Sequence, residues 1–364
     1  MDGLNEAFSP EAFSPMVFDR PMVSDRPMVS DRQGTVSDPP VPSLPPLSPS
    51  LVAASLSSEL RAAGADLATT SWQLGVLRLL MPGLLLVLGS WFYWTTTNSY
   101  LGLLAVIIAG VAYALLLICT HEAIHGTLLG VPWLEFSLSC LIGWPMAWPA
   151  ATYYCLHLLH HRWNGLDPRD PERIELLQTE IQSAGFLRRW HQRHPFWWKA
   201  LGLGGLGMIA NAYGKGWRLC DEQGQLANRL RLDLGGSLLV HLLLLALVVI
   251  QGIFWKYLLF WLMLERVIGA IIQTRSLIEH WGLWRHGESH LITQLLASRT
   301  VIASKWVNAA MGGLPHHSAH HAFPSIPFQR LPEATERIEQ ILSRHGREPL
   351  PKASSYLGAL GLLL

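Results

Sequence analysis

Polar positions are so sparse along two stretches of this chain that each reads as a pair of membrane helices. A bilayer core about 30 Å thick needs about 20 apolar residues of helix. Leu79 to Thr96 and Tyr100 to Cys119 meet that length, are joined by little more than Thr97-Asn98-Ser99, and predict a first hairpin. Leu234 to Ile250 and Tyr257 to Ile272, turning near Gln251-Gly252, predict a second. A further apolar stretch, Val131 to Ala151, contains Glu135, Pro145 and Pro149, so it reads as interfacial or re-entrant rather than as a crossing. Near the end, Leu331, Ala334, Ile338, Ile341 and Leu342 follow helical spacing and predict a packing helix. The last apolar run, Leu357 to Leu364, is too short to span.

Composition agrees with the pattern. Half of the 364 residues are hydrophobic and only 15% are charged, below the share of about a quarter in soluble domains; mean hydropathy is +0.26. A formal net charge of +1 gives no overall field toward nucleic acid, which is not expected as a partner. Cys119, Cys140, Cys155 and Cys220 are scattered without a Cys-x-x-Cys pair, against a zinc ribbon, an iron-sulfur site or a disulfide framework.

The first 70 or so residues are different material. Glu6 to Pro10 repeats at Glu11 to Pro15, Pro15 to Arg20 (PMVFDR) is followed by two copies of PMVSDR, and a Pro/Ser-rich run continues to about Ser50. A hexapeptide repeat with a proline in each copy cannot build a packed core, so 1–70 is expected to be a disordered tail. It lacks the apolar core and cleavage site of a secretory signal peptide. The expected domain is then 71–345, followed by a C-terminal tail, 346–364.

The hairpin turns contain no basic residue, although Lys256 lies just inside the second, whereas Arg162 to Arg231 carries eleven Lys/Arg. The positive-inside rule puts that segment and both chain ends in the cytoplasm. The fold class expected is therefore all-α and integral to the membrane, with about four transmembrane helices in two hairpins under a cytoplasmic helical cap. Between the hairpins, Arg188-Arg189-Trp190 and Phe196-Trp197-Trp198-Lys199 mix bases and aromatics as a segment lying at the headgroups does.

That topology collects a set of histidines. His121-Glu122-Ala123-Ile124-His125, His157-Leu158-Leu159-His160-His161 and His317-Ser318-Ala319-His320-His321 hold eight of the sixteen histidines, and all three clusters fall on the cytoplasmic side. Residues three or four apart share a helix face, so each cluster can aim its imidazoles at one point. A lone pair at this spacing is ordinary, but three clusters, two with the same His-x-x-His-His spacing, point to metal. The first is also a literal His-Glu-x-x-His, the zinc-protease motif, so an intramembrane protease competes. Catalytic zinc takes three protein ligands, which leaves at least five of these histidines unexplained. Eight imidazoles are enough for two metal ions with open positions for O2, and iron is the usual choice for breaking C–H bonds.

The series resembles the integral-membrane fatty acid desaturase and hydroxylase superfamily. Gly312-Gly313-Leu314 before the third box, His320-His321-Ala322-Phe323-Pro324 through it and Asp167 to Glu172 (DPRDPE) after the second strengthen the likeness, which runs from about Leu79 to Glu333. The resemblance implies a non-haem di-iron centre held by His121, His125, His157, His160, His161, His317, His320 and His321. Ile278-Glu279-His280-Trp281-Gly282 resembles a segment in which members place another ligand, and adds His280; many relatives have Asn where this chain has Ser276. The implied activity is an O2-dependent oxidoreductase of lipid metabolism, first a fatty-acyl desaturase that leaves a C=C bond. Hydroxylation or ketolation of a lipid or carotenoid is the nearest alternative. No cytochrome b5-like His-Pro-Gly-Gly segment appears, so a separate electron donor of ferredoxin or cytochrome b5 type is expected as partner, with a membrane lipid or acyl substrate.

Asp167, Asp170, Glu122 and Glu279 are candidates to accept the second N–H of metal-bound histidines. His316 is either a hydrogen-bond donor behind the metal-binding groups or a surface residue. Glu265 and Arg266, inside the fourth span, either line a substrate tunnel or pair with each other. His241, about nine residues into the third span, reads as a packed or hydrogen-bonded residue.

Overall fold

The computed structural model describes residues 49–220 and 224–363, so the hexapeptide repeats lie outside the described residues. The elements that carry the argument are α1 (Pro49–Gly64), α2 (Trp72–Thr95), α3 (Ser99–Ile124), α4 (Pro132–Gly143) and α5 (Ala150–Trp163). There follow α6 (Gln178–Ser183), α7 (Phe186–Arg193), a π-helix (Phe196–Leu203), α8 (Gly204–Leu219), α9 (Gly224–Ile250) and α10 (Phe254–His280). The chain closes with α11 (His290–Leu296), β1 (Thr300–Val301), α12 (Lys305–Ala310), α13 (His317–Ala322), α14 (Leu331–Arg344), β2 (Lys352–Ala353) and α15 (Tyr356–Leu360). The all-α expectation holds: the two strands are a single parallel pair, Thr300 against Lys352 and Val301 against Ala353.

Among the described residues four helices, α2, α3, α9 and α10, are long and apolar enough to cross a bilayer. Their large apolar side chains stand exposed along α2 (Leu80, Leu84, Val87, Trp91) and α9 (Leu238, Leu239, Leu242, Leu243), the surface that lipid would cover. The stretch expected to be re-entrant is α4, a 3-10 turn at Trp144–Met146 and the start of α5. At 12 residues α4 is too short to span.

The helices outrun the apolar segments. Asn98 starts α3 by accepting from the N–H groups of Tyr100 (3.0 Å) and Leu101 (3.1 Å). The helix then runs past Cys119 to Ile124 and carries His121 beyond the bilayer-length segment. Likewise α10 continues from Ile272 to His280. The first hairpin packs tightly on itself, but α9 and α10 touch little: α10 lies against α3 and α8, and α9 against α5 and α8. At one crossing only glycine fits. A Cβ on Gly269 of α10 would sit 1.9 Å from the backbone nitrogen of Gly205, where the π-helix passes into α8.

Two expected boundaries are corrected. Residues 49–67, assigned to the disordered tail, form α1 and a 3-10 turn, because Leu56, Leu60 and Leu67 are fully buried in the core of α11, α13 and α14. Arg337 clamps Asp66 and Arg344 pairs with Glu59 across that seam. The C-terminal tail is also packed: Ala359 and Leu363 are buried with Leu277, Ile278 and Val301.

Candidate metal centre

Helix α5 carries the second histidine cluster, and its start is fixed from another element. Its N-cap position is Pro149, which offers no side-chain acceptor. The carboxylate of Asp233, buried on α9, accepts instead from the N–H groups of Ala151 (3.2 Å) and Thr152 (2.6 Å) and from Trp144 Nε1 (3.0 Å). A negative charge at the orphan N–H groups is the arrangement a helix N-terminus favours. It sets the face on which His157, His160 and His161 emerge.

The nine candidate histidines meet at one end of the bundle. The imidazole nitrogens of His121, His125, His157, His161 and His320 lie within 4.8 Å of one another, and those of His160, His280 and His321 form a second group within the same distance. His317 joins the second group, its Nε2 being 2.9 Å from His280 Nε2 and 3.1 Å from His321 Nε2. All nine are buried or nearly so.

Hydrogen bonding alone does not satisfy this cluster. His157 Nδ1 lies 2.7 Å from Glu172 Oε1 and donates its proton there, so its Nε2 is a lone pair. That lone pair faces His125 Nε2 at 3.1 Å and His161 Nε2 at 3.0 Å. His160 Nδ1 donates to Asp170 (2.9 Å), which leaves its buried Nε2 without a partner. His320 Nε2 and both nitrogens of His121 are likewise buried and unpaired. Converging, unprotonated nitrogens in the interior are costly unless a cation takes their lone pairs. The residues present therefore fit metal, with five histidines able to hold one ion and four another.

At four of the histidines electrostatics favour the same state. Burial, with the neighbouring imidazoles adding to it, holds His161, His317, His320 and His321 well below the usual histidine pKa, in the neutral form that binds metal. At His160 burial is outweighed by Asp170 and Glu172, and its pKa is raised. Burial opposes the charge on Glu172, but His157 and His160 overcome it and keep the carboxylate ionised, below its ordinary range.

The other expectations divide. Asp170 does back a histidine, whereas Asp167 turns outward to Arg169 (2.8 Å). Glu279 lies 3.4 Å from His317 Nε2 and pairs with Arg275. Glu122 pairs with Arg78 beneath Gly312, so it is not presented as the free base a zinc protease needs. His316 is neither on the surface nor in the cluster: its Nδ1 meets Thr335 Oγ1 at 2.9 Å. Glu265 and Arg266 pair with each other and also hold the break before α8, the carboxylate accepting from Leu206 N–H and the guanidinium donating to the carbonyls of Gly202 (2.8 Å) and Leu203 (2.7 Å). His241 is hydrogen-bonded to Ser237 O (2.9 Å).

Sequence reasoning missed four contributors. Glu172 stands in the DPRDPE segment beside the aspartates, with no spacing signal that sets it apart from them. Tyr153, one turn before His157, reaches Glu172 Oε2 (3.2 Å), and Arg275, one turn before Glu279, shares its face; the four-residue spacing was the available signal. Gln294, whose Oε1 lies 3.0 Å from His321 Nδ1, had none.

The chain belongs to the fatty acid desaturase family, whose model matches residues 97–350. With four apolar helices of membrane-spanning length among its described residues, it fits the multi-pass membrane class. Among curated proteins it is similar to the "Probable fatty acid desaturase DES1" of Sorghum bicolor, 37% identical over 59 residues, or 16% of this chain and 15% of that protein. It is similar, at 37% over 59 residues, to the "Temperature-sensitive sn-2 acyl-lipid omega-3 desaturase (ferredoxin), chloroplastic" of Arabidopsis thaliana, covering 16% of this chain and 14% of the relative. The matched segments thus span about a seventh of each relative's length.

Proposed function

We propose that this protein is a di-iron, O2-dependent desaturase that removes two hydrogens from a fatty-acyl chain. The observation that carries the reading is the pair of converging imidazole groups, His121, His125, His157, His161 and His320 beside His160, His280, His317 and His321, within a desaturase-family chain. Imidazole-rich sites suit iron, which when bound supplies the dioxygen chemistry that C–H cleavage requires. The chain's own residues do the rest. Glu172 and Asp170 keep the protons on Nδ1 of His157 and His160 and so fix which nitrogen faces the metal. Gln294 and the carbonyl of Ala297 (3.3 Å) orient His321 and His280 in the same way.

The two electrons come from a separate donor of ferredoxin or cytochrome b5 type; the name of the Arabidopsis relative specifies ferredoxin. The basic content of Arg162 to Arg231 supports a cytoplasmic position for the cap and for both chain ends.

Expression with each donor in a host rich in saturated and monounsaturated lipids tests the reading. Fatty acids lighter by two hydrogens are expected. Gain of an oxygen atom in acyl chains or carotenoids would replace desaturation with hydroxylation or ketolation. Stoichiometric zinc with negligible iron, under conditions supplying both, would overturn the di-iron assignment itself.

A further inference from the structure

A cavity of about 350 Å³ lies against the Glu172 side of the histidine cluster, between α5, α8, α10, the π-helix and the loop of Pro171 to Ile174. Five charged side chains line it. Glu172 is engaged by His157, Arg173 by Glu180 (2.6 Å) and Arg275 by Glu279. Lys199 and Lys215 are different. Among the described residues neither has an ion-pair partner; Lys199 Nζ reaches the carbonyl of Ile174 (3.4 Å) and Lys215 Nζ that of Pro171. Two half-buried ammonium groups thus share one cavity with only backbone carbonyls in hydrogen-bonding contact, while the carboxylates of Glu175, for Lys199, and of Asp170 and Glu172, for Lys215, act without touching them. Charge held away from water without a contacting counter-ion is costly, and an anion placed between the two relieves it.

Lys199 sits in the π-helix Phe196–Leu203, a rare conformation that concentrates at functional sites. The cavity also has an apolar continuation. Leu203 and Gly207 line both it and an adjoining groove walled by Leu206, Ala210 and Leu262 and by the Glu265–Arg266 pair. Leu203, Leu206 and Leu262 are exposed there, and Leu262 belongs to the apolar helix α10. A charged cavity beside a mostly apolar groove, with two wall residues in common, describes an amphiphile.

We infer that Lys199 and Lys215 form an anion subsite, and that the substrate carries a carboxylate or phosphate head on an apolar chain that enters along the Leu203–Leu262 groove. The inference rests on the reading of the protein as an acyl-lipid oxidoreductase, and it names the head that reading leaves open. A neutral glycolipid or hydrocarbon does not satisfy it.

The test uses the full-length, iron-loaded protein in detergent. Equilibrium binding of palmitate, palmitoyl-coenzyme A and phosphatidylglycerol is compared with that of methyl palmitate. Hydrogen bonds to charged groups are strong enough that replacing both lysines by Gln should weaken at least one anionic probe by about tenfold or more. Methyl palmitate should move by less than about twofold, since its head accepts no charge-assisted bond. The probe that responds tells a free carboxylate from a carrier phosphate or a lipid headgroup. Lys199→Arg with Lys215→Arg should restore binding.

Unchanged anion binding in the Gln pair, or methyl palmitate bound as tightly as every anion, would overturn the subsite. If the Gln pair fails to assemble, wild-type protein decides by the same anion-to-ester comparison. Lysine-dependent binding without a desaturated product would leave the subsite standing and remove the reaction. Desaturation of neutral lipids alone would do the reverse.

Discussion

His157 Nδ1 and Glu172 Oε1 lie 2.7 Å apart, and that one contact joins the histidine cluster to the cavity, because Glu172 is a wall of both. Glu172→Gln keeps the shape and removes the charge that holds the proton on Nδ1. Loss of such a partner typically lowers metal affinity by about 10–100-fold. Chelator titration of iron-loaded protein should show that drop, with the helical content unchanged. Asp167→Asn is the control, since Asp167 faces Arg169 and should leave iron retention at the wild-type level.

Gly312 has φ +63°, and a Cβ there would lie 2.5 Å from Glu122 Oε1 and 2.8 Å from an Arg78 guanidinium nitrogen. Gly312→Ala should displace that buried pair, next in sequence to His121, and lower both iron content and stability. Gly252 has φ +67° with nothing within 4 Å of a Cβ. Gly252→Ala should therefore cost only the backbone strain of roughly 1–2 kcal/mol. Equal losses in the two variants, measured by thermal unfolding and metal analysis, would remove the clash from the explanation.

The sequence made the spans legible because a bilayer imposes a length, and the converging histidines legible because His-x-x-x-His and His-x-x-His-His are short-range helical spacings. It did not show what holds those helices. Asp233 and Ala151 are 82 residues apart, and nothing local marks an acidic residue in an apolar helix as the cap of another helix. The same holds for Gln294 behind His321. Leu56 and Leu60 do follow the four-residue period, but the proline-rich repeats before them set the reading of the whole segment. Only burial against α14 distinguishes α1 from tail.

That distinction is measurable. Removing residues 2–48 takes away the proline-bearing repeats and should leave activity near wild type. Removing 2–67 takes α1 from the third histidine box as well, and exposes the apolar face it covers. Leu60→Ala alone should destabilise the protein by about 2–5 kcal/mol, as truncation of a fully buried leucine does. Equal behaviour of the two deletions in iron retention would show that α1 adds nothing to the centre.

Binding of an anionic amphiphile should depend on pH through Lys199. Burial, then the charge on Lys215, with Glu175 opposing them, brings its pKa down to about 8 from the usual 10.5. Lys215 of α8, Arg173 and Glu172 of the loop, and Arg275 of α10 also line the cavity with it. A depressed lysine pKa means that the free protein holds the ammonium only below about pH 8, while an unburied lysine would keep it beyond pH 10. An anion that needs the ammonium is therefore bound most tightly below about pH 8 and loses affinity as pH rises through that value, by up to about tenfold per unit for one linked proton. A hexadecylsulfonate probe, whose own charge does not change in this range, isolates the effect. Lys199→Arg stays charged throughout and should flatten the profile near pH 8, leaving only the weaker dependence owed to Lys215, whose pKa burial also lowers. A profile unchanged by that substitution would place the titrating group elsewhere in the cavity.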